Sequence, residues 1–113
     1  MIYKISFFTH PNNISPIQEF LDSCQPKLRT KILRQFKYIR EFGLTSAIPN
    51  LKKIIKTHFW ELRILGKDNI RIICVTAKNA DIMVLHIFRK KTQKTPIKEI
   101  NIANNRYKIT LDN

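Results

Sequence analysis

Residues 58–89 read HFWELRIL (58–65), GKD (66–68), NIRIICVTA (69–77), KNAD (78–81) and IMVLHIFR (82–89). In the first run Trp60, Leu62 and Ile64 alternate with Glu61 and Arg63, the period of a strand with one buried face. GKD and KNAD are turn compositions. The second run is rich in β-branched residues and forms the next strand. The third is apolar at nearly every position, which predicts a central strand covered on both faces. Three strands joined by turns this short form an antiparallel meander.

Outward from the meander the period changes. Upstream, Leu28, Ile32, Phe36 and Ile39 fall on one face at helical spacing, with Pro26 opening the helix and Gly43 closing it. Before it, Ser15, Pro16 and Gln18 are a helix start: a cap, a proline at the first helical position and a glutamine to close a capping box. A short helix then turns Ile17, Phe20 and Leu21 inward, and the two helices are expected to pair. Ile2–Phe8 reads as a first strand. Downstream, Thr95 and Pro96 are read as cap and first position of a last helix, with Ile100, Ala103 and Tyr107 inward. The order of strand, two helices, three-strand meander and helix predicts an α+β fold with a mainly antiparallel sheet, one domain over residues 1–113.

Composition restricts the classes of function. The chain has 113 residues, 43% hydrophobic, and only two glycines, enough for a core and little for a flexible linker. Its longest apolar stretch, Ile82–Phe88, is far too short to span a bilayer, and MIYKISFF lacks a signal peptide's long apolar region. A cytoplasmic protein with no membrane role and with Cys24 and Cys74 as reduced thiols is the expectation. The formal charge is +13, and fourteen of the twenty-one cations follow Asn50. Such a chain is drawn to polyanions: nucleic acid, ribosome, an acidic protein or an anionic surface.

The meander's register localises that charge. Pairing Leu62 with Ile72 and Ile64 with Ile70 keeps four apolar residues on one face, and a one-residue slip would mismatch the faces. The same register sets Arg63 directly opposite Arg71 on the other face. Like charges facing each other across strands cost a few tenths to about 1 kcal/mol. A phosphate between the two guanidiniums offsets that cost. A salt bridge from Glu61 or Asp68 to one arginine is the plainer alternative. Arg89, Lys90, Lys91 and Lys94 follow at the end of the third strand, and LKKIIK (51–56) adds Lys52, Lys53 and Lys56 before the first. Three segments are expected to converge on one backbone-phosphate groove.

FWELRI, RIICV and LHIFRKKTQKTPIKEINIANNR together resemble the HigB-like, phage-associated branch of the RelE/ParE toxin superfamily, over Leu51–Arg106. The resemblance implies a RelE-like α+β fold and a type II toxin that cleaves messenger RNA on the ribosome. It implies as partners a HigA-like helix-turn-helix antitoxin and, through that antitoxin, operator DNA. The THF before Trp60 departs from the family pattern and leaves His58 without an assigned role.

Metal-free RNA cleavage requires a proton taken from the 2′-OH, charge stabilised on the phosphate, and a proton given to the leaving 5′-oxygen. The sequence offers no metal cluster or spaced carboxylate pair, so no cofactor and no metal are expected. Arg63 and Arg71 are the candidates for holding the scissile phosphate, with Arg89 in support. Lys90 or Lys91, crowded by cations, is the candidate proton carrier. Gln93 and Lys94, with Lys52, Lys53 and Lys56, are candidates for RNA-backbone contacts; a merely solvated loop is their plain alternative. His86 is the candidate general base, against a hydrogen-bonded histidine sharing a face with Val84 and Phe88. A non-cleaving RNA- or ribosome-binding module and a ParE-like gyrase poison are the rival functions.

Overall fold

A computed structural model describes residues 2–91 and 93–112. In chain order it contains β1 (Ile5–Phe7), α1 (Pro16–Ser23), α2 (Pro26–Phe42), β2 (Leu51–Lys53), β3 (Trp60–Ile64), β4 (Ile70–Thr76), β5 (Ile82–Arg89) and α3 (Ile97–Leu111). A single 3₁₀ turn, Lys78–Ala80, joins β4 to β5.

The five strands form one sheet in the order β1-β5-β4-β3-β2. Every pairing is antiparallel except β1 with β5. The meander has the register read from its burial pattern: Leu62 opposite Ile72, Ile64 opposite Ile70, Arg63 opposite Arg71. Two features differ from expectation. The first strand is confined to Ile5–Phe7, and Leu51–Lys53, read as a basic approach to the meander, is a fifth strand at the opposite edge. Leu51, paired with Leu62 and buried, makes it one; a single inward residue is too little for periodicity to reveal.

Helices cover both faces of the sheet. On one side Ile17 and Leu21 of α1 and Leu28, Ile32, Phe36 and Ile39 of α2 pack on Leu62, Ile64, Ile70, Ile72, Ile82, Val84 and Ile87. On the other, Ala103 of α3 packs with Phe8, Phe59, Ile73, Val75, Leu85 and Phe88. β5 therefore has apolar residues on both faces because both are covered.

The helix starts are partly as the sequence implies. The Ser15 hydroxyl accepts a hydrogen bond from the Gln18 N–H at 3.2 Å, and Pro16 opens α1. The capping box stays open, since the Gln18 side chain donates to Asp22 instead. Gly43 closes α2 with φ +78°, its N–H donating to the Ile39 carbonyl at 2.7 Å. Pro96, not Thr95, is the capping residue of α3, and no side chain caps that helix. Thr95 has another partner, described below.

One irregularity positions the site. Ile73 lies opposite His86 but Cys74 lies opposite Val84, so Leu85 is an extra residue in β5. The bulge puts Val84 in the core under α1 and α2 while Leu85 and His86 both meet the α3 side. His86 and Val84 therefore do not share a face, contrary to strict alternation.

Candidate nucleic-acid interface

Cross-strand partners share a face, so the sheet sorts the basic residues. Arg63 and Arg71 lie on the α3 side, and so does Lys52, which pairs with Glu61. Lys90, one residue past β5, joins them there through Glu61. Lys53 pairs with Trp60 and Arg89 with Ile70, residues whose side chains belong to the opposite face. Arg89 bonds the Asp68 carbonyl and carboxylate at 3.0 and 3.2 Å. Lys56 sits at φ +64° in the β2–β3 turn, before Trp60 and so at the far end of β3 from Arg63. Lys91, Gln93 and Lys94 are exposed after β5. The expected groove thus contracts to Arg63, Arg71, Lys90 and Lys52.

At its centre two cations are buried, which is rare and costly without an anion. Arg71 and Lys90 are each 7% exposed. The carboxylate of Glu61 stands between them, Oε1 3.6 Å from Arg71 Nε and 3.9 Å from Lys90 Nζ. Its Oε2 accepts a hydrogen bond from the Thr95 hydroxyl. Of the two carboxylates weighed from sequence, Glu61 thus neutralises Arg71, while Asp68 serves Arg89.

Arg71 is fixed at its other end. One terminal guanidinium nitrogen donates to Asn69 Oδ1 at 2.9 Å and to the Ile70 carbonyl at 3.3 Å. Asn69 is tied to Lys90 by two bonds: its carbonyl accepts the Lys90 N–H and its side-chain amide donates to the Lys90 carbonyl. Asn69 holds φ +53°, a conformation asparagine tolerates better than most residues. The Arg71 Nε–H, though buried, has no hydrogen-bond acceptor among the described residues. Burial, and secondarily the Arg63 charge, lower the Arg71 pKa, with Glu61 acting in the opposite sense. The site is thus held together from both sides of Arg71, with Glu61 in ion-pair range of that buried donor.

His86 belongs to a second polar cluster. Arg106 of α3 donates to its Nδ1 at 3.2 Å and to the Leu85 carbonyl at 2.9 Å. With Nδ1 accepting, Nε2 carries the proton and donates to Glu99 Oε1 at 2.9 Å. The ring stacks on Phe88 with centroids 5.2 Å apart. Burial chiefly, and Arg106 in part, lower its pKa against the opposing pull of Glu99. Both ring nitrogens are engaged, so in this conformation His86 has no lone pair to offer a 2′-OH. It is a hydrogen-bonded histidine that docks α3 on β5.

Sequence reasoning passed over Asn69, Glu99 and Arg106, and assigned Thr95 to a cap. Asn69 carried a signal, an asparagine immediately before a strand and after a glycine turn. Glu99 and Arg106 stand in the C-terminal signature, but nothing in the sequence tied them to His86, because that contact arises from how α3 lies on the sheet.

The fold is thus that of a small α+β protein with one mostly antiparallel sheet covered on both faces and buried cations around a carboxylate at one end of its long strands. Residues 19–108 match the family described as Phage derived protein Gp49-like, and the chain belongs to that family. No curated protein matches. Among solved structures, one of the E. coli toxin RelE, a double-arginine mutant in the free state, is similar. It has a TM-score of 0.66 and 12% identity over 94% of this chain and 98% of that one, which establishes a shared fold. No helix among the described residues is long and apolar enough to cross a membrane.

Proposed function

We propose that this protein is the toxin of a type II toxin–antitoxin system, a HigB-like endoribonuclease that cuts messenger RNA on the ribosome and so stops translation. One observation carries the reading: buried Arg71 shares the Glu61 carboxylate with buried Lys90 and lies opposite Arg63. Sheets of ordinary structural purpose avoid such a cluster, whereas a phosphodiester completes it with paired hydrogen bonds. Family membership and the fold shared with RelE support the same reading.

In this mechanism Arg71 and Arg63 hold the scissile phosphate and the charge that develops on its oxygens. The ribose 2′-oxygen attacks phosphorus, the bond to the 5′-oxygen breaks, and the products are a 2′,3′-cyclic phosphate and a 5′-hydroxyl. No metal is required for that step. Lys90, already inside the cluster, or Lys91, exposed beside it, carries the protons in this proposal. Lys52, Gln93 and Lys94 contact the RNA backbone on either side. Arg89, Lys53 and Lys56 contribute only to the long-range field. A HigA-like antitoxin with a helix-turn-helix neutralises the toxin and links it to operator DNA.

Mapping of RNA 5′ ends after brief induction tests the reading, with Arg71→Ala expressed at equal level as the control. New ends inside coding frames that vanish in the variant are expected. Growth arrest without new ends would replace the nuclease with ribosome occlusion or a gyrase poison.

A further inference from the structure

We infer that Glu61 is a positioning residue that fastens the basic loop after β5 to the sheet and holds the anion position into which the RNA phosphate moves. The inference rests on the RNA-cleavage reading for its consequence, though not for its geometry.

Glu61 uses its two oxygens for different tasks. Oε1 lies within ion-pair range of both Arg71 Nε and Lys90 Nζ, at 3.6 and 3.9 Å, but at hydrogen-bond length from neither. Oε2 accepts the Thr95 hydroxyl, across thirty-four positions of sequence. One carboxylate thereby joins β3, β4, the end of β5 and the entry to α3. Glu61 thus fills an anion position between two buried cations. Among the described residues Arg71 Nε–H has no hydrogen-bond acceptor, although Arg71 is buried and its other end is bonded to Asn69 and Ile70. The carboxylate balances two buried cations at once, Arg71 and Lys90.

Two consequences follow. Without the Glu61 charge, Arg71 and Lys90 repel each other inside the protein and the cluster spreads, so the geometry needed for cleavage is lost. The same loss removes the internal anion that competes with phosphate, so RNA binding holds or tightens. A residue of merely structural importance would weaken both.

Cleavage of messenger RNA on programmed ribosomes, followed under single turnover against protein concentration, separates the two effects. Glu61→Gln retains an acceptor for Thr95 and lacks the charge; its limiting rate should fall by about tenfold or more while the half-saturating concentration stays equal or drops. Glu61→Asp should recover part of the rate. Thr95→Val, which keeps the charge and removes the fastening, should lower the limiting rate less. In the free proteins, hydrogen exchange at the amides of Lys91, Gln93, Lys94 and Thr95 should speed up in Thr95→Val, with α2 and β4 unchanged. An unchanged limiting rate in Glu61→Gln, or a parallel loss of rate and affinity, would overturn the positioning role. Unchanged exchange in Thr95→Val would overturn the fastening. If the wild type cuts no RNA, the nuclease reading falls by itself, and the exchange data still decide whether Glu61 and Thr95 form the fastener.

Discussion

In the proposed mechanism Arg71 concentrates the chemistry in one side chain. It is buried, held at one end by Asn69, faced by Arg63 and balanced by Glu61. Replacing it by alanine should lower RNA cleavage by about a hundredfold or more, as expected for a donor aimed at developing charge. Arg71→Lys should recover little, since a single ammonium cannot reproduce the fork. End-labelled cleavage assays on both variants check this. His86 is the contrasting case, two nitrogens committed to Glu99 and Arg106 and a pKa below its ordinary 6.5. The unfolded chain takes up this proton at higher pH than the folded one. The stabilisation is therefore complete above the ordinary histidine value and is lost as pH falls below it toward the depressed folded value. Melting temperatures across that window should fall more for the wild type than for His86→Gln, whose amide keeps a donor and an acceptor. Equal slopes would mean that His86 is not the group responsible.

Elements hold these residues where they are. Ser15 caps α1 through Gln18, so Ser15→Ala should cost about 1 kcal/mol, a shift of about 4–8 °C in thermal melting. Gly43 ends α2 at φ +78°, and a Cβ there would come within 2.9 Å of the Tyr3 ring. Gly43→Ala should therefore destabilise by more than the usual 1 kcal/mol helix-end penalty, measured by urea unfolding. Leu62 is fully buried between β2, β4 and the helices. Leu62→Ala removes packing beneath Glu61 and Arg63 at a cost of about 2–5 kcal/mol. The bulge at Leu85 explains why His86 was misplaced by period-2 reasoning: one inserted residue reverses the face of everything before it.

For the whole molecule the governing quantity is a net charge of +13, unevenly distributed. Association with RNA should weaken steeply with salt, each phosphate-contacting cation adding about 0.7–0.9 to the logarithmic slope. Lys52→Ala, on the cluster's face, should reduce that slope by about one. Lys53→Ala, on the opposite face, should leave it nearly unchanged. Binding titrations at several salt concentrations compare the two neighbours directly. Equal effects would mean that the sheet does not sort the cations as its register implies.

The α+β order, the meander's register, the inward faces of α1 and α2, and the Arg63–Arg71 confrontation were all legible in the chain. Each rests on local periodicity or on apolar residues that must share one face, and both are written in consecutive residues. The resemblance of the C-terminal signature to a toxin branch was legible as well. What required tertiary structure was every contact between segments distant in sequence. Glu61 met Arg71, Lys90 and Thr95; Asp68 met Arg89; His86 met Glu99 and Arg106. Polar partners of this kind leave no period, because a side chain's choice of partner depends on how layers dock and on where a bulge shifts the pleat. The edge strand Leu51–Lys53 escaped for a related reason, since pairing and not composition makes it a strand. Periodic burial determined the scaffold from sequence alone, and three-dimensional docking decided which of its many cations gather into the candidate site.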